Sequence, residues 1–159
     1  MLACVYITHF FPNPPSPMNI RDFLVGGAGA GSKLADAGLA LLRIFAGLAM
    51  AFAHGINKVP PSEGFTGLVE SLGFPAPGLF AWLAGISEFF GGLLMAAGLL
   101  TRPAALMVLG TMFVAAFISH AGDPFGEREM ALLFMFSALF FTMAGGGRYS
   151  IDAFLRDKQ

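Results

Sequence analysis

The chain has 159 residues, 56% of them hydrophobic and 12% charged, with a formal net charge of -1 and a mean hydropathy of +0.72. Soluble domains are about 25% charged, so these figures exclude an ordinary soluble domain, and the lack of a basic surplus excludes a nucleic-acid-binding face. Cys4 is the only cysteine, which rules out an internal disulfide or a CxxC redox pair; electrons, if handled at all, come from a cofactor or partner.

Residues 1–32 read as an N-terminal arm and linker. MLACVYITHFF is apolar but short, lacks a basic start and runs into PNPPSP, unlike a cleaved signal peptide. The small residues of VGGAGAGS, residues 25–32, form a flexible linker before the first span. Residues 33–159 then read as one all-α membrane domain, a four-transmembrane-helix bundle. A helix needs about 20 apolar residues to cross a bilayer, and four segments qualify: residues 35–56, 79–100, 103–120 and 128–144. The tripeptide TRP at 101–103 is short enough to make the second and third spans an antiparallel hairpin. Between the first and second spans, Phe65, Leu68, Val69 and Leu72 recur at helical spacing behind Ser62 as N-cap. About three turns are too few to span, so this is a short amphipathic interfacial helix. GGGRYS stops the fourth span.

Four spans put both termini and the 101–103 turn on one side, with Arg21, Lys33, Arg102, Arg148, Arg156 and Lys158. The opposite side holds only Lys58 and Arg128 as bases, together with Glu63, Glu70, Asp123, Glu127 and Glu129. The positive-inside rule therefore places both termini in the cytoplasm, with the chain multi-pass in the cell (inner) membrane.

Ionisable groups within the spans are costly and usually face a protein interior or water. Counting 1.5 Å per residue, Arg43 lies ~12 Å from the cytoplasmic end of the first span and Glu88 ~16 Å from the same side. Equal depth and opposite charge predict a buried Arg43–Glu88 ion pair, with small residues on both faces allowing close approach. His54 returns to within ~20° of the Arg43 face, which predicts an outer polar mouth of His54, Lys58 and Glu129. The histidines His9, His54 and His120 are scattered and HExxH is absent, so no metal site is expected. The sequence also lacks a P-loop, a GxSxG elbow and a dinucleotide-binding fingerprint.

LLRIFAGLAMAFAHGINKV, ESLGFPAPGLFAWLAGISEFFGGLLMAAGLLTRPAA, REMALLFMF and GRYSIDA together resemble the DoxX family of small four-helix membrane proteins. The elements that carry the resemblance are Arg43, His54-Gly55 with Lys58, the block around Glu88, and Arg148 with Asp152. The resemblance implies the fold and a tie to redox metabolism, since relatives include a membrane subunit of a thiosulfate:quinone oxidoreductase and members proposed to anchor redox or thiol-handling assemblies. It puts no cofactor on a named residue. Two functions are therefore expected. The first is an integral membrane subunit of a quinone-linked oxidoreductase complex, not catalytic alone, holding no covalent cofactor and taking a quinone near Arg43, Glu88 and His54. The alternative is a non-catalytic structural or assembly subunit of a membrane protein complex.

Overall fold

A computed structural model describes Ile20 and residues 31–158; the expected arm at 1–32 lies otherwise outside the described residues. Helix α1, Lys33–Ala49, starts where the Ser32 hydroxyl accepts a hydrogen bond from the Ala35 amide at 3.2 Å, and Asp36 complements the positive end of its dipole. It continues through a π-helical turn, Met50–Gly55, and a 3-10 turn, Ile56–Lys58, as one 26-residue rod. The expected short helix is present as α2, Glu63–Ser71, capped by the Ser62 hydroxyl on the Phe65 amide. Helix α3 is Pro77–Ala97, with proline in its first turn, where an N–H is dispensable.

The turn into the next helix falls three residues before the expected TRP, at Gly98–Leu100. Gly98 and Leu100 both adopt positive φ (70° and 47°), which reverses the chain. Helix α4, Thr101–Val114, then absorbs the TRP tripeptide as its first turn and ends in a second π-helical stretch, Ala115–Ser119. Helix α5 is Phe125–Ala144, and the short α6, Ile151–Asp157, closes the described chain behind the Ser150 N-cap.

Among the described residues, three helices are long and apolar enough to cross a membrane: Lys33–Lys58, Pro77–Ala97 and Thr101–Ser119. Their outer faces carry large apolar side chains, among them Phe45, Phe52, Phe90 and Phe113, an arrangement that water would penalise and lipid favours. The buried core is built from small residues and methionine. Ala46, Met95, Ala104, Ala105 and Phe141 form one cluster, and Met50, Val108, Met112, Met135 and Ala138 another. Of the methionine and phenylalanine stripes legible in the sequence, Met112 and Met135 face the core while Phe113, Phe117 and Phe136 face outward.

Glycine sets the register between α1 and α3. A Cβ on Gly47 would stand 2.5 Å from the Gly92 carbonyl oxygen, and one on Gly92 would stand 2.8 Å from the Gly47 oxygen. Backbone therefore touches backbone, an approach only glycine allows. The same antiparallel register sets Gly55 against Glu88 and Phe89, and Gly85 against the Lys58 carbonyl. At the other end, Gly98 meets the Arg43 guanidinium.

Candidate functional site

That register decides where the buried charges go, and it separates two that equal depth would join. The expected Arg43–Glu88 ion pair is not formed. Glu88 lies level with Gly55, twelve residues along α1 from Arg43, or about 18 Å at 1.5 Å per residue. The depth estimate assumes helices with level ends. Instead α1 and α3 are slid past each other: the first two to three turns of α1 run beyond the end of α3, and the first two turns of α3 run beyond Lys58.

Glu88 instead meets Lys58. Both carboxylate oxygens accept from Lys58 Nζ, at 2.8 Å and 2.7 Å. The Glu88 side chain is only 3% exposed and that of Lys58 27%, so the ammonium plugs the carboxylate on its solvent side. Lys58 also lies 5.1 Å from the Phe65 ring of α2, a cation–π contact that ties the short helix to the pair. Gly55 and Gly85 make the pair possible by letting the end of α1 press on α3 at this level.

Arg43, 2% exposed, is held at the other end of the bundle. Its terminal nitrogens donate to two backbone carbonyls of the segment after α5, those of Gly146 and, at 2.9 Å, Tyr149. Its Nε is buried with no hydrogen-bond partner. Asp152 attracts the guanidinium electrostatically, but the Asp152 oxygens bond elsewhere. They accept from the Leu100 amide (2.8 Å), the Thr101 amide (2.9 Å) and the Thr101 hydroxyl (2.7 Å), while the Asp152 amide donates to the Gly98 carbonyl at 2.8 Å. Asp152 is thus the N-cap of α4, supplied from α6. Sequence reasoning reaches Asp152 only through family resemblance. A signal is nevertheless present: the residue at the α4 N-cap position is Leu100, which has no side-chain acceptor, so the cap must come from elsewhere.

The remaining expected residues do not gather into one mouth. His54 packs edge-on against Phe134 of α5, ring centroids 5.3 Å apart. It sits inside the π-helical turn Met50–Gly55, whose wider winding departs from the 3.6-residue phase used to place it. Glu129 is exposed on α5, and among the described residues no hydrogen bond or ion pair joins it to His54 or Lys58. Among the described residues no cluster of three or more His, Cys, Asp or Glu could hold a metal ion.

Beside Arg43 runs an open groove of about 570 Å³. Its apolar wall comprises Ile44, Ala96, Ala97, Ile151 and Phe154, and its polar rim Arg43, Arg148, Tyr149, Ser150 and Asp157. A second groove of about 490 Å³, sharing Arg148 and Asp157 with the first, is lined by Gly31, Ser32, Lys33, Asp36, Ala153 and Arg156.

The comparisons with known proteins agree with a membrane protein. The DoxX family model matches residues 38–121. Inner membrane protein YqjF of Escherichia coli (strain K12) is 33% identical over 132 residues, covering 79% of this chain and 98% of the relative. "Putative oxidoreductase CatD" of Bacillus subtilis (strain 168) is 27% identical over 125 residues, covering 78% and 91%. No solved structure matches the chain. The matched segment takes in Arg43, Lys58, Glu88 and the Leu100–Thr101 turn, and with it the expected resemblance holds: the chain is a membrane protein of the DoxX family.

Proposed function

We propose that the chain is the membrane subunit of a quinone-linked oxidoreductase complex in the cell (inner) membrane, and that a quinone ring binds in the groove beside Arg43. Residues 33–159 form its membrane domain. Helix α5, twenty residues long, crosses as a fourth span despite Glu127, Arg128 and Glu129 near its start, and α2 lies at the membrane surface. Both termini face the cytoplasm, because the basic residues collect at that end. The oxidoreductase name of CatD and the inner-membrane name of YqjF support the assignment.

The groove carries this reading. A quinone ring is flat and apolar with oxygen acceptors at its edge. The groove offers a matching apolar wall of Ile44, Ala96, Ala97, Ile151 and Phe154, and a polar rim that includes the Arg43 and Arg148 side chains. A bound quinone supplies two-electron, two-proton acceptor chemistry. Arg43 holds positive charge beside the acceptor oxygen, where it stabilises negative charge better than bulk water does. Glu88 and His54 have no place around the same ring, being about 18 Å away along α1, and protons reach the groove through its open side. Since the chain carries no CxxC pair, a partner delivers the electrons.

The test is quinone extraction from protein purified in mild detergent, with every co-purifying protein identified by mass spectrometry. Ala97→Phe fills part of the groove while keeping Arg43 in the chain. The redox reading expects bound quinone and a stoichiometric redox partner in the unaltered preparation, and quinone lost from Ala97→Phe at unchanged folded yield. Quinone absent from the former, or equal in both, rejects it. One observation favours a second reading, a structural or assembly subunit: Arg43 and Asp152 both bond to the chain's own backbone. On that reading Ala97→Phe leaves assembly and turnover untouched, whereas Arg43→Met lowers the yield of the whole complex.

A further inference from the structure

We propose that the second groove, between the start of α1 and α6, is a headgroup site for an anionic phospholipid, adjoining the quinone seat and sharing Arg148 and Asp157 with it. Three cations line it, Lys33, Arg148 and Arg156, with the Ser32 hydroxyl beside them, against two carboxylates, Asp36 and Asp157, the latter 3.7 Å from Arg156 Nε. Charge across the molecule points the same way. Among the described residues, Lys33, Arg43, Arg102, Arg148, Arg156 and Lys158 share this end with three acids, while the far end sets Lys58 and Arg128 against six. A phosphate here is drawn both by the groove and by the field of the whole end.

The slide between α1 and α3 creates the site. By extending beyond the end of α3, the first turns of α1 leave a face that α6 covers only in part, and the groove is the remainder. The adjoining wall is apolar: Leu34 is 85% exposed, and Ile151, Phe154 and Leu155 are exposed as well. A cationic pocket bordered by exposed apolar side chains at one end of a helix bundle matches an amphiphile, with the phosphate on Lys33, Arg148 and Arg156 and the acyl chains along Leu34. Basic pockets at membrane helix ends bind anionic headgroups for these reasons.

The test is native mass spectrometry of the full chain, delipidated in mild detergent and offered equal amounts of phosphatidylglycerol and phosphatidylcholine. The unaltered chain is expected to retain phosphatidylglycerol about tenfold better. The preference is expected to disappear in Lys33→Gln/Arg156→Gln and to survive Lys158→Gln, which removes the same kind of charge from the same end outside the groove. Raising the salt to about 0.5 M should erode it in the unaltered chain, a check that does not depend on the double variant folding. Equal retention of the two lipids overturns the proposal, as does an undiminished preference in the double variant or an equal loss in Lys158→Gln. Release of the lipid by millimolar inorganic phosphate would assign the site to a free anion and overturns it. Quinone content in the same samples is a separate readout, and Ala97→Phe, which alters the first groove alone, should leave the lipid preference unchanged.

Discussion

The two ends of the bundle bury charge in different ways. At the Lys58 end a carboxylate and an ammonium satisfy each other, and all of the positive charge comes from one side chain that reaches in from solvent. At the Arg43 end a guanidinium and a carboxylate lie close together, yet each bonds to backbone: Arg43 to the carbonyls after α5, Asp152 to the amides opening α4. The first arrangement is a closed pair. The second is a joint, in which three helix ends are fastened by charges that do not cancel each other directly. In the closed pair both carboxylate oxygens are taken up by one ammonium, whereas the joint borders a groove that Arg43 and Arg148 help to line. That difference is why the proposed quinone seat lies at the Arg43 end.

The largest effect should come from breaking the closed pair from one side. Lys58→Met strands Glu88 as a buried charge, at a cost of about 3–5 kcal/mol, read as a loss of thermal stability in detergent. Adding Glu88→Gln removes the stranded charge and should recover most of that loss. The same Glu88→Gln added to Arg43→Met should recover nothing, because Arg43 and Glu88 are not partners. Recovery in the second double variant would mean that the two ends are one site after all.

Asp152→Ala comes next. It removes three hydrogen bonds from the first turn of α4, two of them to amides with no intrahelical partner. An N-cap is worth about 1–2 kcal/mol, and burial brings the expected loss to about 2–3 kcal/mol. Asp152→Asn should retain about half, since its amide oxygen still accepts. If the joint is what orders the Gly98–Leu100 turn, hydrogen exchange in Asp152→Ala should accelerate at Leu100 and Thr101 and leave Lys58 unchanged.

These effects fall on residues that differ in how far the sequence discloses them. Helix positions are legible because the signals are local: Ser62 before Glu63, the glycines from 145, apolar runs of spanning length. The polarity of Arg43 and Glu88 within such runs is legible too. Their partners are not, because partnership depends on how far one helix slides past another. Gly47, Gly55, Gly85 and Gly92 set that slide by contacts whose pairing no local pattern reveals. Counting residues from helix ends assumes a slide of zero, and an error of two to three turns is enough to match the wrong charges. Asp152 is hidden for a related reason, since a cap donated from about fifty residues away leaves no local motif.

The register itself can be tested at Gly92. A methyl group there meets the Ala51 amide nitrogen at 2.9 Å and the Gly47 oxygen at 2.8 Å, backbone atoms that cannot move aside without separating the helices. Overpacking of this kind costs about 1–3 kcal/mol. Gly92→Ala should therefore lower stability by that amount and, by opening the α1–α3 seam, weaken the Lys58–Glu88 contact. Cysteines introduced at positions 52 and 89, where the Phe52 and Phe89 rings meet edge-on with centroids 6.2 Å apart, should be joined by a short bifunctional reagent, and cysteines at positions 43 and 88 should not.

The smallest effect is expected at Glu129, and it sharpens the comparison by being small. A polar mouth with His54 and Lys58 would need Glu129 as its carboxylate, yet Glu129 is exposed on α5 while Lys58 is already matched by Glu88. Its neutralisation removes one surface charge with no described partner, and such changes stay within about 0.5 kcal/mol. Glu129→Gln should thus leave stability unchanged in the unaltered chain. Combined with Lys58→Met it should still do nothing, whereas a real mouth would make the two losses depend on each other. Non-additivity above about 0.5 kcal/mol in that cycle would show Lys58 shared between two carboxylates, and the Lys58 end would then be an open site like the other.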